Sequence, residues 1–158
     1  MKRGSTLFLR MAVFLIGTPV LALGIYGLYD LWNNPANPDY AHILYPIVIG
    51  MYLSVIPFFI ALFQAFKLLN YIDKNMAFSE LSITALQKIK FCAMTISGFY
   101  VIILPFVAML AELDDAPGLI IMGMVPVFAS LVIAVFAAVL QRLLTEAIMI
   151  KSENDLTV

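Results

Sequence analysis

The stretch AELDDAPG sets Glu112, Asp114 and Asp115 almost side by side. Carboxylate oxygens grouped in this way are the donors that a hard cation takes, and they suit a cationic peptide equally. Asp30, Asp39 and His42 fall in a second polar segment, which the charge distribution below assigns to the same side of the molecule. His42 is the single histidine and adds a residue type used in pH sensing. The acids also have a plainer reading, because translocated loops avoid basic residues and carboxylates keep such loops soluble. With Pro117 placed for a first helical turn, Asp115 or Ala116 is then simply the N-cap of the helix that follows.

Other reactive chemistry is sparse. The single cysteine, Cys92, excludes an intrachain disulfide framework. It stands at the head of an apolar run, where cysteine serves as a small packing residue. There is no His/Glu metal motif, no Ser-centred elbow and no glycine-rich phosphate loop, so neither a catalytic residue, a metal ligand nor a cofactor is assigned. The polar groups within the apolar stretches are the hydroxyls of Thr18, Ser54, Thr95, Ser97 and Ser130, which suit helix packing better than acid–base work. A non-enzymatic protein is expected. Ion and proton pathways are marked by ionisable residues inside the membrane, and none lies deep in an apolar segment here.

The elements that carry these residues follow from composition. Of 158 residues 63% are hydrophobic and 12% charged, and the mean hydropathy is +1.01. A chain so apolar cannot cover itself with polar groups, so its solvent is lipid. Four apolar segments, about 7–30, 43–69, 90–111 and 118–141, each reach the roughly 20 residues that span a hydrocarbon core as helix. The first resembles a signal peptide at a glance, but its run is too long and no small-residue cleavage site follows, so it is read as a retained span. The segment 70–89 is then a connector and 142–158 a tail of a single membrane domain covering 1–158.

Charge sets the expected direction. Lys2, Arg3, Arg10, Lys67, Lys74, Lys88, Lys90, Arg142 and Lys151 all fall at the N-terminus, between the second and third spans, or at the C-terminus. The other two loops carry only acids. The positive-inside rule therefore predicts both termini in the cytoplasm, with the net charge of −1 giving no global attraction to nucleic acid or to acidic lipid. No direct nucleic-acid binding is expected, and the bilayer is the first partner.

Two helices outrun the membrane. Leu140, Leu143, Leu144, Ala147 and Ile148 continue the fourth helix with an apolar face opposite Gln141, Arg142, Thr145 and Glu146. From Leu119 to Lys151 such a helix is about 50 Å long. The second helix continues through LFQAFKLLNYID. The two extensions are expected to pack together as a short cytoplasmic stalk. Ser79 is a good N-cap for the third helix, with Glu80 in its first turn and Phe78 and Ile83 placed for a hydrophobic staple. Ser130, Ala134 and Ala138 form a small-residue seam, facing the bundle or a second copy. Pro19, Pro46, Pro57, Pro105 and Pro126 read as tolerated kinks. Beyond Ser152 the run of Ser, Asn and Asp predicts that the helix breaks, leaving a short extended end.

YIDKNMAFSELSITALQKIK and VLQRLLTEAIMIKSENDLTV resemble the bacterial membrane family known as domain of unknown function 2975, the YoaS-like proteins. The most specific parts are Ala77-Phe78-Ser79 and Lys151 through Val158. The resemblance implies a multi-pass protein of a bacterial cell membrane, often Gram-positive, commonly encoded beside a small helix-turn-helix regulator of the Cro/CI type. The family has no established activity to carry over.

The expected architecture is therefore an all-α, integral membrane four-helix bundle with both termini in the cytoplasm and helices 2 and 4 extended there. The expected role is regulatory: docking of a helix-turn-helix regulator on Phe78, Ser79, Arg142, Glu146, Lys151, Glu153, Asn154 and Asp155. A carrier, binding or immunity protein for a hydrophobic compound or peptide is the alternative, and predicts a lipid-walled cavity between helices. A subunit of a larger complex or homo-oligomer, joined through the helix-4 seam, is the third reading.

Overall fold

The computed structural model describes residues 2–34 and 38–157, with side-chain surroundings for all of these except 2–6, 39, 40 and 157. The described residues form four helices and no strand: α1 (Lys2–Asn33), α2 (Pro38–Asp73), α3 (Glu80–Leu113) and α4 (Gly118–Thr157). All four are long and apolar enough to cross a membrane, and a helix satisfies its own backbone where no water is available. The five prolines of the apolar segments lie inside continuous helices.

The turns that separate α2 from α3 and α3 from α4 share one geometry. Asn75 and Asp115 have φ of 60° and 51°, in the left-handed region. Met76 N–H donates to the Tyr71 carbonyl at 2.7 Å and Asn75 N–H to Ile72 at 3.1 Å. Ala116 and Asp115 repeat the pattern onto Ala111 and Glu112 at 2.9 and 3.4 Å. Both are Schellman C-caps built without glycine, on the two side chains best able to adopt this conformation. Asp115 is thus the terminator of α3 and not the N-cap of α4, which starts at Gly118 with its first amide bonds on the Ala116 and Pro117 carbonyls.

At the start of α3, Ser79 occupies the N-cap with extended backbone, but its hydroxyl makes no cap bond. It turns back and donates to the Met76 carbonyl at 2.6 Å, as does the fully buried Ser82 at 3.2 Å. Phe78 stays 60% exposed, so no hydrophobic staple buries it.

Packing follows chain order. Among the described residues, backbones approach only between α1 and α2, α2 and α3, and α3 and α4. The tightest seam is on α4, where Val127, Ser130, Ala134 and Ala137 are buried and a Cβ on Gly123 would meet Leu104 Cδ2 at 3.1 Å. Steps of four, three, four and three keep one face of small residues toward α3, so the backbones close up along a gentle crossing. The Ser130–Ala134 seam is therefore spent inside the bundle and is not free for another subunit, and its third member is Ala137, with Ala138 only half-buried. On the other side of α3, Ile103 packs into the space over Gly50 and forms a core with Ile43 and Ile47.

The extensions behave differently from the expectation. Because α3 stands between α2 and α4, the two make no backbone contact among the described residues and no stalk forms. The α4 tail stays helical through Thr157, past the predicted break at Ser152; helix propagation outweighs the modest penalties of Ser, Asn and Asp. Its half-buried stripe is Gln141, Leu144, Ala147 and Ile148, while Leu140 and Leu143 are exposed. Leu144, Ala147 and Ile148 belong to the face that hydropathy marks, while Gln141 takes the place of Leu140 and Leu143, because among the described residues this helix packs on α3 alone.

Candidate functional site

The loosest joint in the molecule is between α1 and α2, and it gathers the most chemistry. Only 6% of the apolar window of α1 is buried, against 17% for each other helix. Gly17 is the one α1 residue that is buried among those described, and a Cβ there would come within 3.2 Å of Leu62 Cδ1.

Among the described side chains two polar ties hold the joint. At one end Arg10 Nη2 donates to Asp73 Oδ2 at 2.6 Å and also to Asn70 Oδ1. The guanidinium stands 5.4 Å from the centre of the Phe66 ring. The pair is largely shielded, with side-chain exposures of 29% and 19%, and Arg10 Nε is buried without a hydrogen-bond partner. Asp73 closes the last turn of α2, where the helix dipole also favours a cation. Midway along, Tyr52 Oη donates to the Gly24 carbonyl at 2.7 Å. Gly27 permits this approach, since a Cβ there would lie 2.8 Å from that hydroxyl.

The joint opens into two clefts, one around the Tyr52–Gly24 tie and extending past it, the other between the two ties. One, of about 410 Å³, is lined by Val20, Gly24, Gly27, Asp30, Met51, Tyr52 and Tyr100, among others. The second, of about 450 Å³, is lined by Val13, Phe14, Gly17, Thr18, Leu21, Phe59, Leu62, Phe63 and Phe66. Both fall in the size range of small-molecule sites and are mostly apolar.

The residues expected to dock a partner lie at the end where α3 begins and α4 finishes. Arg142 and Glu146 form an exposed i,i+4 pair at 3.5 Å, a contact of small energetic weight. Lys151, Glu153, Asn154 and Asp155 are exposed on the last turns of α4, and Val158 lies outside the described residues. Ser79 is half-buried in its turn. Antiparallel packing of α3 on α4 puts the connector and the tail at the same end of the molecule.

At the opposite end Glu112, Asp114 and Asp115 are exposed around the α3–α4 turn. Asp30 and Asn34 are linked at 3.3 Å, His42 is exposed, and the Asp39 side chain is outside those described. Among the described residues no three His, Cys, Asp or Glu side chains are placed to hold a metal ion.

Sequence reasoning missed the Arg10–Asp73 clasp, the Tyr52–Gly24 tie and the burial of Gln64 in α2. Arg10 was visible as a cation already flanked by Leu9 and Met11, which calls for an acid at the same depth.

The chain is similar to a known membrane protein. Residues 31–158 match the family model described as "Protein of unknown function (DUF2975)". The "Uncharacterized membrane protein YoaS" of Bacillus subtilis (strain 168) is 58% identical over 160 aligned residues, covering 100% of both chains. No solved structure matches.

Proposed function

This chain belongs to the DUF2975 family, and from that premise we propose that it is a non-enzymatic membrane protein that docks a cytoplasmic partner on the projecting end of α4. The observation that carries this reading is the arm itself. At 40 residues, α4 is about 60 Å long, twice a hydrocarbon core, and it exceeds α3 at 34 residues. Its end stays helical with Met149, Ile150 and Leu156 exposed, Leu156 by 83%. Anchoring needs no such arm, whereas an exposed helix with apolar and charged positions is a ready element for helix-to-helix recognition.

The partner suggested by the family resemblance is a small helix-turn-helix regulator, held at or released from the membrane. The distribution of basic residues supports, through the positive-inside rule, a reading with both termini and the α2–α3 connector in the cytoplasm of a bacterial cell. A membrane-impermeant thiol reagent on intact cells tests this in a Cys92→Ser background: Asp114→Cys should be labelled and Lys88→Cys protected.

The docking itself is tested by affinity purification in mild detergent, comparing the full chain with one lacking residues 151–158. Loss of the regulator on truncation supports docking; equal retention rejects it. A second, differently tagged copy in the same cells reports whether the arm pairs with itself instead.

The 410 Å³ cleft of the α1–α2 joint favours a second reading, a carrier, binding or immunity protein for a hydrophobic compound or peptide. Filling the 410 Å³ cleft by Gly24→Leu should then abolish any resistance or immunity the protein confers while leaving regulator docking intact.

A further inference from the structure

We propose that the 450 Å³ cleft between α1 and α2 is a binding site for one anionic phospholipid, with an acyl chain in the cleft and the phosphodiester at Lys67 and Arg10. This assignment does not depend on either functional reading, and concerns a different cleft from the one invoked above.

Three observations converge on it. The cleft lies within the apolar length of two candidate spans, so what fills it is hydrocarbon and not water. Its floor exists because Gly17 has no side chain over Leu62, and one end is closed by the edge-on contact of Phe14 with Phe66, 5.8 Å between ring centres.

At that same end stand two cations, each over a ring of the cleft wall. Arg10 lies 5.4 Å from the centre of Phe66 and Lys67 lies 4.9 Å from that of Phe63. Phe63 faces outward, so Lys67 borders lipid at the depth where headgroups begin.

The hydrogen-bond inventory is also incomplete there. Arg10 commits Nη2 to Asp73 and Asn70 and its Nε is buried out of a headgroup's reach, so it contributes there through its charge. Among the described residues no carboxylate lies within ion-pair distance of the Lys67 ammonium. A phosphodiester offers two non-bridging oxygens, acceptors suited to a guanidinium and an ammonium together. With Arg10, Lys67 and Lys74 set against Asp73, the local field is positive and favours a headgroup of net negative charge over a zwitterionic one.

Native mass spectrometry of the full chain in detergent tests the proposal, with phosphatidylglycerol and phosphatidylcholine of identical acyl chains as probes. Phosphatidylglycerol should be retained about tenfold more strongly, the weight of one charge-assisted contact. Lys67→Gln should remove most of that preference, Lys67→Arg should keep it, and Lys88→Gln should leave it unchanged. Gly17→Leu should reduce binding of both lipids by filling the cleft; circular dichroism establishes that this variant is folded. Equal retention of the two lipids by the wild-type chain, or undiminished preference in Lys67→Gln, overturns the headgroup assignment. Undiminished binding by folded Gly17→Leu overturns the acyl-chain assignment.

Discussion

Arg10 and Asp73 are 63 residues apart in the chain and 2.6 Å apart in space, and their contact fixes the start of the first helix against the end of the second. With so little of α1 buried, this pair carries an unusual share of what holds that helix in place. Removing either partner by Arg10→Gln or Asp73→Asn should cost about 2 kcal/mol, as for a shielded hydrogen bond to a charged group. The measurement is the thermal midpoint in detergent together with protease sensitivity near residue 10. The swap Arg10→Asp with Asp73→Arg should recover part of the loss; a swapped protein no better than the worse single variant would show that the two act separately.

Tyr52 and Gly27 should behave as one unit. Tyr52→Phe loses the bond to the Gly24 carbonyl, about 1 kcal/mol. Gly27→Ala places a methyl 2.8 Å from the Tyr52 hydroxyl and should be harmful in the wild-type chain but nearly neutral beside Tyr52→Phe. A double-mutant cycle on unfolding free energies reads this directly, and strict additivity would contradict it.

Gly50 is a packing position. A Cβ there would lie 2.5 Å from Ile103 Cδ1 and 2.7 Å from Ile103 Cγ1, at a side chain that is 4% exposed. Gly50→Ala should destabilise by about 1–3 kcal/mol through overpacking, and Ile103→Ala in the same chain should relieve the clash. Denaturation of the single and double variants distinguishes this from a simple change in helix propensity, which would favour alanine.

The two left-handed turn residues make an opposite prediction. Asn75→Gly and Asp115→Gly should be neutral or mildly stabilising, because glycine adopts positive φ without penalty. Asn75→Val should cost about 1–2 kcal/mol, the price of that conformation for a side chain with a branched Cβ. Equal stability of the glycine and valine variants would mean that this turn is not held in the geometry described.

What the sequence determined by itself is the class of object. A composition of 63% hydrophobic residues leaves lipid as the only solvent, lipid permits only helices or closed barrels, and four runs of sufficient length make four helices. Of the small-residue seam on α4, Ser130 and Ala134 were legible from their spacing, while the third position falls on Ala137 and not on its neighbour Ala138. Which helix that seam meets was not legible, because hydropathy is nearly uniform around a helix bathed in lipid. Tertiary structure decided that α3 stands between α2 and α4, which removes the expected stalk, since among the described residues α2 and α4 make no backbone contact. It also decided that Arg10 meets Asp73, a contact between residues too distant in the chain for spacing to reveal. The two clefts likewise belong to the tertiary structure, since they exist only where α1 rests on α2 by a glycine and two polar ties instead of a continuous packed face.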